Sequence, residues 1–309
     1  MTDTDSNYEE CYIAFLDLMG MQQLVKDCET DKTRYEKVID ALQETSNTST
    51  VEISHRNIST NETKNWKLQV QAFSDCVVLF IPTESQALSW IMTSIRRLHD
   101  KLIRLEIPVR GSITIGGMHW DETWGDTNKE VVMRTPVAFG PGLVDAYLLE
   151  SGAAVYPRIL ISNKLFEHIR DTKLKPFPFA SLPLKDFCRQ DMDGLFHLDV
   201  LHENIMRKDV VEQVSEKNEQ GQVIVKSVFD ETTYEEWLNQ VRSFIWEQLQ
   251  HVMGEKIRSK YLWLARYHNA TVLRSKKGER IPIFKDEVPE GFAAFEMPAE
   301  MEKQIRESN

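Results

Sequence analysis

The order of apolar runs predicts an α+β protein, a sheet with helices on one face followed by a C-terminal helical extension. Three observations carry this expectation. Strand-like apolar runs alternate with segments of helical spacing up to about residue 165. A polar, charged stretch over 206–227 then interrupts the pattern as a linker or hairpin. Beyond it, over 228–309, helical periodicity dominates. The chain therefore divides into a principal domain over 1–205, the polar segment and the helical extension. With 309 residues, of which 41% are hydrophobic, it can bury one large core or two modest ones.

Taken in order, Tyr12 to Leu18 reads as a buried strand, and Met21 to Cys28 and Lys32 to Thr45 have helical spacing. Asp31 can cap the second of these helices with its carboxylate. Ser46 to Lys64, rich in Ser, Thr and Asn, reads as an exposed loop or irregular ribbon. Trp66 to Phe73 and Cys76 to Ile81 form a hairpin around Ser74-Asp75. Ser85 to Arg104 is an amphipathic helix with Leu88, Ile91, Ile95, Leu98 and Leu102 on one face. A strand at Val109 to Ile115 follows, then a Trp- and Asp-containing excursion over His119 to Lys129 and a strand at Val131 to Val137. The turn Phe139-Gly-Pro-Gly142 leads into a helix, Leu143 to Glu150, and a strand, Arg158 to Ile161. This order is that of a ferredoxin-like sheet. Lys173 to Arg189 is a Pro- and Phe-rich connection and Gly194 to Leu201 a further strand. In the extension, Thr232 to Met253 and Glu255 to Tyr267 are aromatic-rich helices with Trp237, Phe244, Trp246, Tyr261, Trp263 and Leu264 to bury. The final stretch is charged and weakly patterned.

Composition excludes several classes of function. A net charge of −11 opposes nonspecific binding to nucleic acid or anionic lipid, because counterion release needs clustered Lys and Arg. No run approaches the roughly 20 apolar residues of a membrane span, and Met1 to Glu10 is polar and acidic, unlike a targeting peptide. The expected location is the cytoplasm. Cys11, Cys28, Cys76 and Cys188 show no paired spacing, which argues against a disulfide framework or a zinc site. A small molecule is the expected partner.

Asp17 and Asp75 are the residues that point to chemistry. The first ends the apolar run Cys11-Tyr-Ile-Ala-Phe-Leu-Asp17, and the second interrupts Leu68-Gln-Val-Gln-Ala-Phe-Ser-Asp-Cys-Val-Val-Leu-Phe-Ile81. A lone carboxylate in such a run carries a desolvation cost of several kcal/mol, so it needs a paired charge, a metal or a solvent-facing strand end. One such Asp is most simply a cap or an Asx-turn. Two that can share one edge of a sheet read as a cation site.

Four segments together resemble the catalytic domain of class III nucleotidyl cyclases. They are Ala14-Phe-Leu-Asp-Leu-Met-Gly20, Phe73-Ser-Asp-Cys-Val-Val78, Arg110-Gly-Ser-Ile-Thr-Ile-Gly116 and Phe139-Gly-Pro-Gly-Leu-Val-Asp-Ala-Tyr147. The likeness spans about residues 10–165 and is greatest to the bacterial pyrimidine cyclases of the Pycsar antiphage defence system, and the segment Lys260 to Asn269 is similar to the C-terminal part of those proteins. It implies a class III cyclase sheet and a metal-dependent conversion of UTP, or less readily CTP, to the 3′,5′-cyclic nucleotide and pyrophosphate. It further implies two divalent ions, Mn²⁺ or Mg²⁺, a homodimer whose site is built across two chains, and a separate effector that responds to the cyclic nucleotide. By this likeness Asp17 and Asp75 bridge the metals and the Leu18 carbonyl adds a ligand. The backbone of Leu18, Met19, Gly20, Met21 and Gln22 cradles the triphosphate, and Arg110 meets the transition-state charge. Phe73 belongs to the substrate-binding set, as do Gln71 and Val137, which stand where purine cyclases carry the Lys and Asp that read adenine. Val144 and Leu148 fall where those enzymes carry an Asn and an Arg that orient ribose and stabilise the transition state.

Other residues admit a functional and a plain reading. Arg110 is equally a surface ion-pairing residue. Gly140 and Gly142 let a turn pass under a substrate or simply open a helix. His119, Trp120 and Trp124 line a cleft or pack a loop, and Lys260, Arg266 and Asn269 reach phosphate or lie on a solvated helix face. Asp191-Met-Asp193-Gly is too short a fragment for a calcium loop. Two further classes of function compete: a cyclase-like module kept for nucleotide sensing or protein contact, and a different palm-type enzyme, which the absence of a Gly-Gly-Asp/Glu-Glu-Phe hairpin opposes.

Overall fold

The computed structural model describes residues 7–47, 51–56, 63–84, 87–121, 137–171, 188–201, 212–217, 223–228, 232–251 and 254–274. These fall into two units, Met1–Asp199 and Val200–Asn309. The first is α+β. Its strands are β1 (Glu9–Leu18), β2 (Val51–Arg56), β3 (Thr63–Phe73), β4 (Cys76–Pro82), β5 (Val109–Asp121), β6 (Val137–Phe139), β7 (Ile159–Ile161), β8 (Cys188–Gln190) and β9 (Phe196–Leu198). They form one sheet in the order β2-β3-β4-β1-β5-β7-β9-β8, with β6 paired to the far part of β5. The sheet is mixed: β5 and β7 run parallel and the other pairs antiparallel. Five helices are found among the described residues of this unit, α1 (Met21–Asp27), α2 (Lys32–Asn47), α3 (Ala87–Arg104), α4 (Pro141–Ala153) and α5 (Asn163–Asp171).

The centre of the sheet is β1, held between β4 and β5. Both its faces are covered, so Cys11 to Ala14, Leu16 and Leu18 are all buried and the run is almost continuously apolar. Successive side chains point to opposite faces. Tyr12 reaches His168 of α5 on one face, while Ile13 and Phe15 meet Ala146 and Tyr147 of α4 on the other. The helices therefore do not all lie on one face, as the sequence led us to expect. On α3 the stripe Leu88, Ile91, Ile95, Leu98 and Leu102 is buried, as its helical spacing requires.

Asp31 does cap α2, its Oδ1 accepting from the amides of Thr33 and Arg34. The expected loop over Ser46 to Lys64 instead contains β2, which pairs with β3 from Val51↔Leu68 to Arg56↔Thr63. Its polar residues read as loop because an edge strand has little need of apolar side chains. Two further elements lie outside the sequence expectation: α5, and β8 at the end of the Pro-rich connection. The expected strand over Val131 to Val137 lies outside the described residues except for Val137, which begins β6.

The turn before α4 owes its glycines to packing. A Cβ on Gly142 would stand 2.6 Å from Ile13 Cδ1 and 3.0 Å from the backbone of Gly116, so helix and strand meet backbone to backbone. Gly142→Ala is expected to destabilise this unit by about 1–3 kcal/mol through overpacking. Gly152→Ala, late in the same helix with nothing within 4 Å of the added carbon, is expected to stabilise it by up to about 1 kcal/mol. Urea unfolding of the two variants measures both signs.

The second unit comprises the hairpin β10 (Glu212–Lys217) and β11 (Val223–Val228) and the helices α6 (Thr232–His251) and α7 (Glu255–Arg274). Trp237, Leu238, Val241, Phe244 and Ile245 of α6 and Trp263, Leu264 and Tyr267 of α7 are buried. Tyr234 donates to the Leu201 carbonyl at 2.8 Å and the Leu201 amide donates to the Tyr267 hydroxyl at 2.9 Å. No helix among the described residues is long and apolar enough to cross a membrane.

The first unit buries His99 and His197, and the second buries His268. Burial and the nearby Arg96 push His99 down to about 4, and burial pushes His268 down to about 4 although its Nε2–H donates to the Leu238 carbonyl at 3.1 Å. Below the ordinary value near 6.5 the unfolded chain takes up protons that the folded chain refuses, so stability falls as pH drops from about 6.5 to 4. The loss is on the order of 3 kcal/mol for each. Urea midpoints taken between pH 7 and pH 5 should decline, and His99→Asn should remove the His99 share of the slope while leaving that of the buried His197, whose pKa burial also lowers.

Candidate metal centre

Asp17 lies one residue before the end of β1, opposite Cys76 of β4 and Arg110 of β5. Directly opposed residues share a face, so all three side chains project from the same side of the sheet. Asp75 reaches this point from the two-residue turn between β3 and β4, which closes at the pair Phe73↔Cys76 and holds Ser74 at φ 55. The Leu18 amide donates to the Asp75 carbonyl at 2.7 Å and pins the turn to the end of β1. Carboxylate oxygens of Asp17 and Asp75 and the Cys76 sulfur consequently lie within 4.8 Å of one another, all half-buried. Such a group can hold a metal ion. Two carboxylates make a hard-oxygen set suited to Mg²⁺ or Mn²⁺, and a thiol biases it away from Mg²⁺. The Cys76 thiol is pushed up to about 11 by burial and then by Asp75 and Asp17, so it is protonated at neutral pH without a metal.

Arg110 supplies the opposing charge. Its Nε–H donates to Asp17 Oδ2 at 2.5 Å, and one arm donates to the Ala154 carbonyl at the end of α4 at 3.3 Å. Burial alone would lower its pKa, but the hydrogen bond and charge of Asp17 outweigh it, so the guanidinium stays charged. The ion pair of the plain reading is present, with Asp17 as its partner. Arg110 is part-buried and tied to the acidic group.

A third acid lies outside the sequence expectation. Glu150 of α4 is 3% exposed, and its Oε1 lies 3.0 Å from Arg110 Nε. That nitrogen has a single hydrogen, already directed at Asp17, so Glu150 Oε1 is left without a hydrogen bond. Burial pushes its carboxyl above the usual range and Asp17 adds to this, while Arg110 works against them. A signal did exist: Gly142, Ala146 and Glu150 recur every four residues and are the buried positions of α4.

Of the other anticipated residues, Leu18 and Met21 are buried and Gln22 is exposed, and Gly20 stands at φ 82 just before α1. The amides of Leu18 and Met19 are taken, the latter by the Pro108 carbonyl at 2.9 Å, so the cradle expected over Leu18 to Gln22 shrinks to the first turn of a seven-residue helix. Gln71 is half-buried on β3 opposite Val78, on the face of Asp17, and Phe73 is 61% exposed at the end of that strand. Val137 is not brought to this site. It pairs with Asp121, at the opposite end of β5 from Arg110, roughly 36 Å away at about 3.3 Å per residue. Val144 and Leu148 face outward, 54% and 59% exposed.

His119 packs against Phe139 and Trp120 against Phe80, which favours their structural reading; Trp124 lies outside the described residues. Asp191 and Asp193 both bind the buried Arg158 and so form an ion-pair cluster. Lys260, Arg266 and Asn269 lie on α7 in the second unit. No protein-family model and no curated protein matches the chain.

Proposed function

We propose that the chain is a metal-dependent pyrimidine nucleotide cyclase with a class III cyclase sheet, converting UTP, or CTP in its place, to the 3′,5′-cyclic nucleotide and pyrophosphate. The observation that carries this reading is the convergence of Asp17 and Asp75 at one end of the sheet, beside a charged Arg110. Divalent ions, Mn²⁺ or Mg²⁺, held by Asp17, Asp75 and the Leu18 carbonyl, would supply the charge that acidifies a 3′-hydroxyl and neutralises a leaving pyrophosphate. The protein's own groups do the rest. Arg110 can span two phosphate oxygens with its planar fork. Gly20 permits close approach of a phosphate to the first amides of α1. Gln71 can donate to and accept from a pyrimidine edge at once, which a purine-reading Lys cannot. Phe73 offers an exposed ring beside the turn.

A homodimer completes the reading. Val144, Tyr147 and Leu148 leave an exposed apolar face on α4, and Val137 can join this site only from a second copy. The cyclic product would act in antiphage defence as a cytoplasmic signal to a separate effector. A second reading, a nucleotide-sensing or protein-contact module without turnover, is favoured by the apolar Val144 and Leu148 and by the hydrogen bond that engages Asp17 with Arg110. Competition among equal concentrations of the four triphosphates with Mn²⁺ decides the base: cyclic UMP is expected to predominate. Predominant cyclic AMP or cyclic GMP would overturn the pyrimidine assignment, and nucleotide binding without any product would select the sensing module.

A further inference from the structure

The residue that a divalent cation most needs is the one that Arg110 holds. Asp17 Oδ2 accepts the Arg110 Nε–H at 2.5 Å, and a cation approaching that carboxylate meets a fixed positive charge. Two features of Glu150 bear on how the conflict resolves. Its Oε1 stands 3.0 Å from the same nitrogen, and it is a buried oxygen with no hydrogen-bond donor. Buried carboxylate oxygens are nearly always bonded, so this one is an acceptor waiting for a donor. The Arg110 arm on the Ala154 carbonyl fixes the guanidinium at the end of the same helix, so the Nε–H needs only to tilt from one carboxylate to the other.

We propose that Glu150 is the second seat of Arg110. When a divalent cation takes Asp17, the Arg110 Nε–H passes to Glu150, which keeps the guanidinium charge-paired and leaves it beside the cation. Glu150 is thus a positioning residue that acts through Arg110. The inference rests on the metal-centre reading above. A direct role as a third carboxylate ligand differs in one respect: it would not depend on Arg110.

The test is Mn²⁺ binding to the full chain, read from the free-ion signal in electron paramagnetic resonance, with circular dichroism as a check on folding. Glu150→Gln removes the charge that receives the guanidinium, and Glu150→Asp keeps the charge but falls short of Arg110. Both are expected to weaken Mn²⁺ binding about tenfold or more. In an Arg110→Gln background the same substitutions should change binding by no more than about twofold, because no guanidinium remains to be moved. Wild-type binding in Glu150→Asp would overturn the proposal, and so would an equal loss with and without Arg110, which would make Glu150 a ligand. A wild-type chain that binds no Mn²⁺ would fail the metal-centre reading itself, and this proposal with it. A further measurement needs no change at position 150. The Arg110 Nε–H resonance, assigned by its loss in Arg110→Lys, should shift on saturation with Mg²⁺, and an unmoved resonance would refute the transfer.

Discussion

Asp17→Ala is expected to reduce cyclic nucleotide formation at least about 10³-fold while the protein stays folded. A ligand to the metals accounts for several kcal/mol of transition-state stabilisation, and each 1.36 kcal/mol is tenfold in rate. The fold should survive because Asp17 is half-buried at a strand end and Arg110 retains Glu150 and the Ala154 carbonyl as partners. Asp75→Ala is expected to lose as much. The bond that pins its turn runs from the Leu18 amide to the Asp75 carbonyl and does not use the side chain. Product formation by mass spectrometry, with circular dichroism alongside, checks both. Unchanged turnover in either variant would remove the carboxylates from the chemistry.

Leu148→Arg and Val144→Asp are expected to convert a dimer to monomers and to abolish activity together with it. Both residues are more than half exposed on α4, and neither is among the buried positions of that helix. A charge placed at the centre of an apolar contact costs about 2 kcal/mol or more, roughly 30-fold in dissociation. Light scattering over a dilution series, with activity per chain measured at each point, follows the two effects. A wild-type monomer with full activity per chain would contradict the two-chain site.

The sequence disclosed the centre of the fold and hid its margins, for a physical reason. Buried elements such as β1 and α3 must carry apolar residues at their own period, so Tyr12 to Leu18 and the Leu88 to Leu102 stripe are legible. The edge strand β2 is rich in polar residues, so its sequence resembles loop. The face on which a helix packs is not written in its own periodicity, which is why α4 was placed with the others. Within the site, Asp17 and Asp75 stood out because carboxylates in apolar runs are costly. Glu150 did not, since a Glu at the end of a helix is unremarkable until tertiary structure surrounds it. Val137 was placed by its position along the chain, whereas the pairing of β6 with the far end of β5 carries it away from Asp17.

Incubation of the full chain with UTP and Mn²⁺, followed by mass spectrometry, tests the proposed reaction most directly. The expected result is a metal-dependent product with the mass of UTP less pyrophosphate, identified as the 3′,5′-cyclic nucleotide and lost in Asp75→Ala. Unconsumed UTP, or hydrolysis to UDP or UMP with no cyclic product, would contradict it.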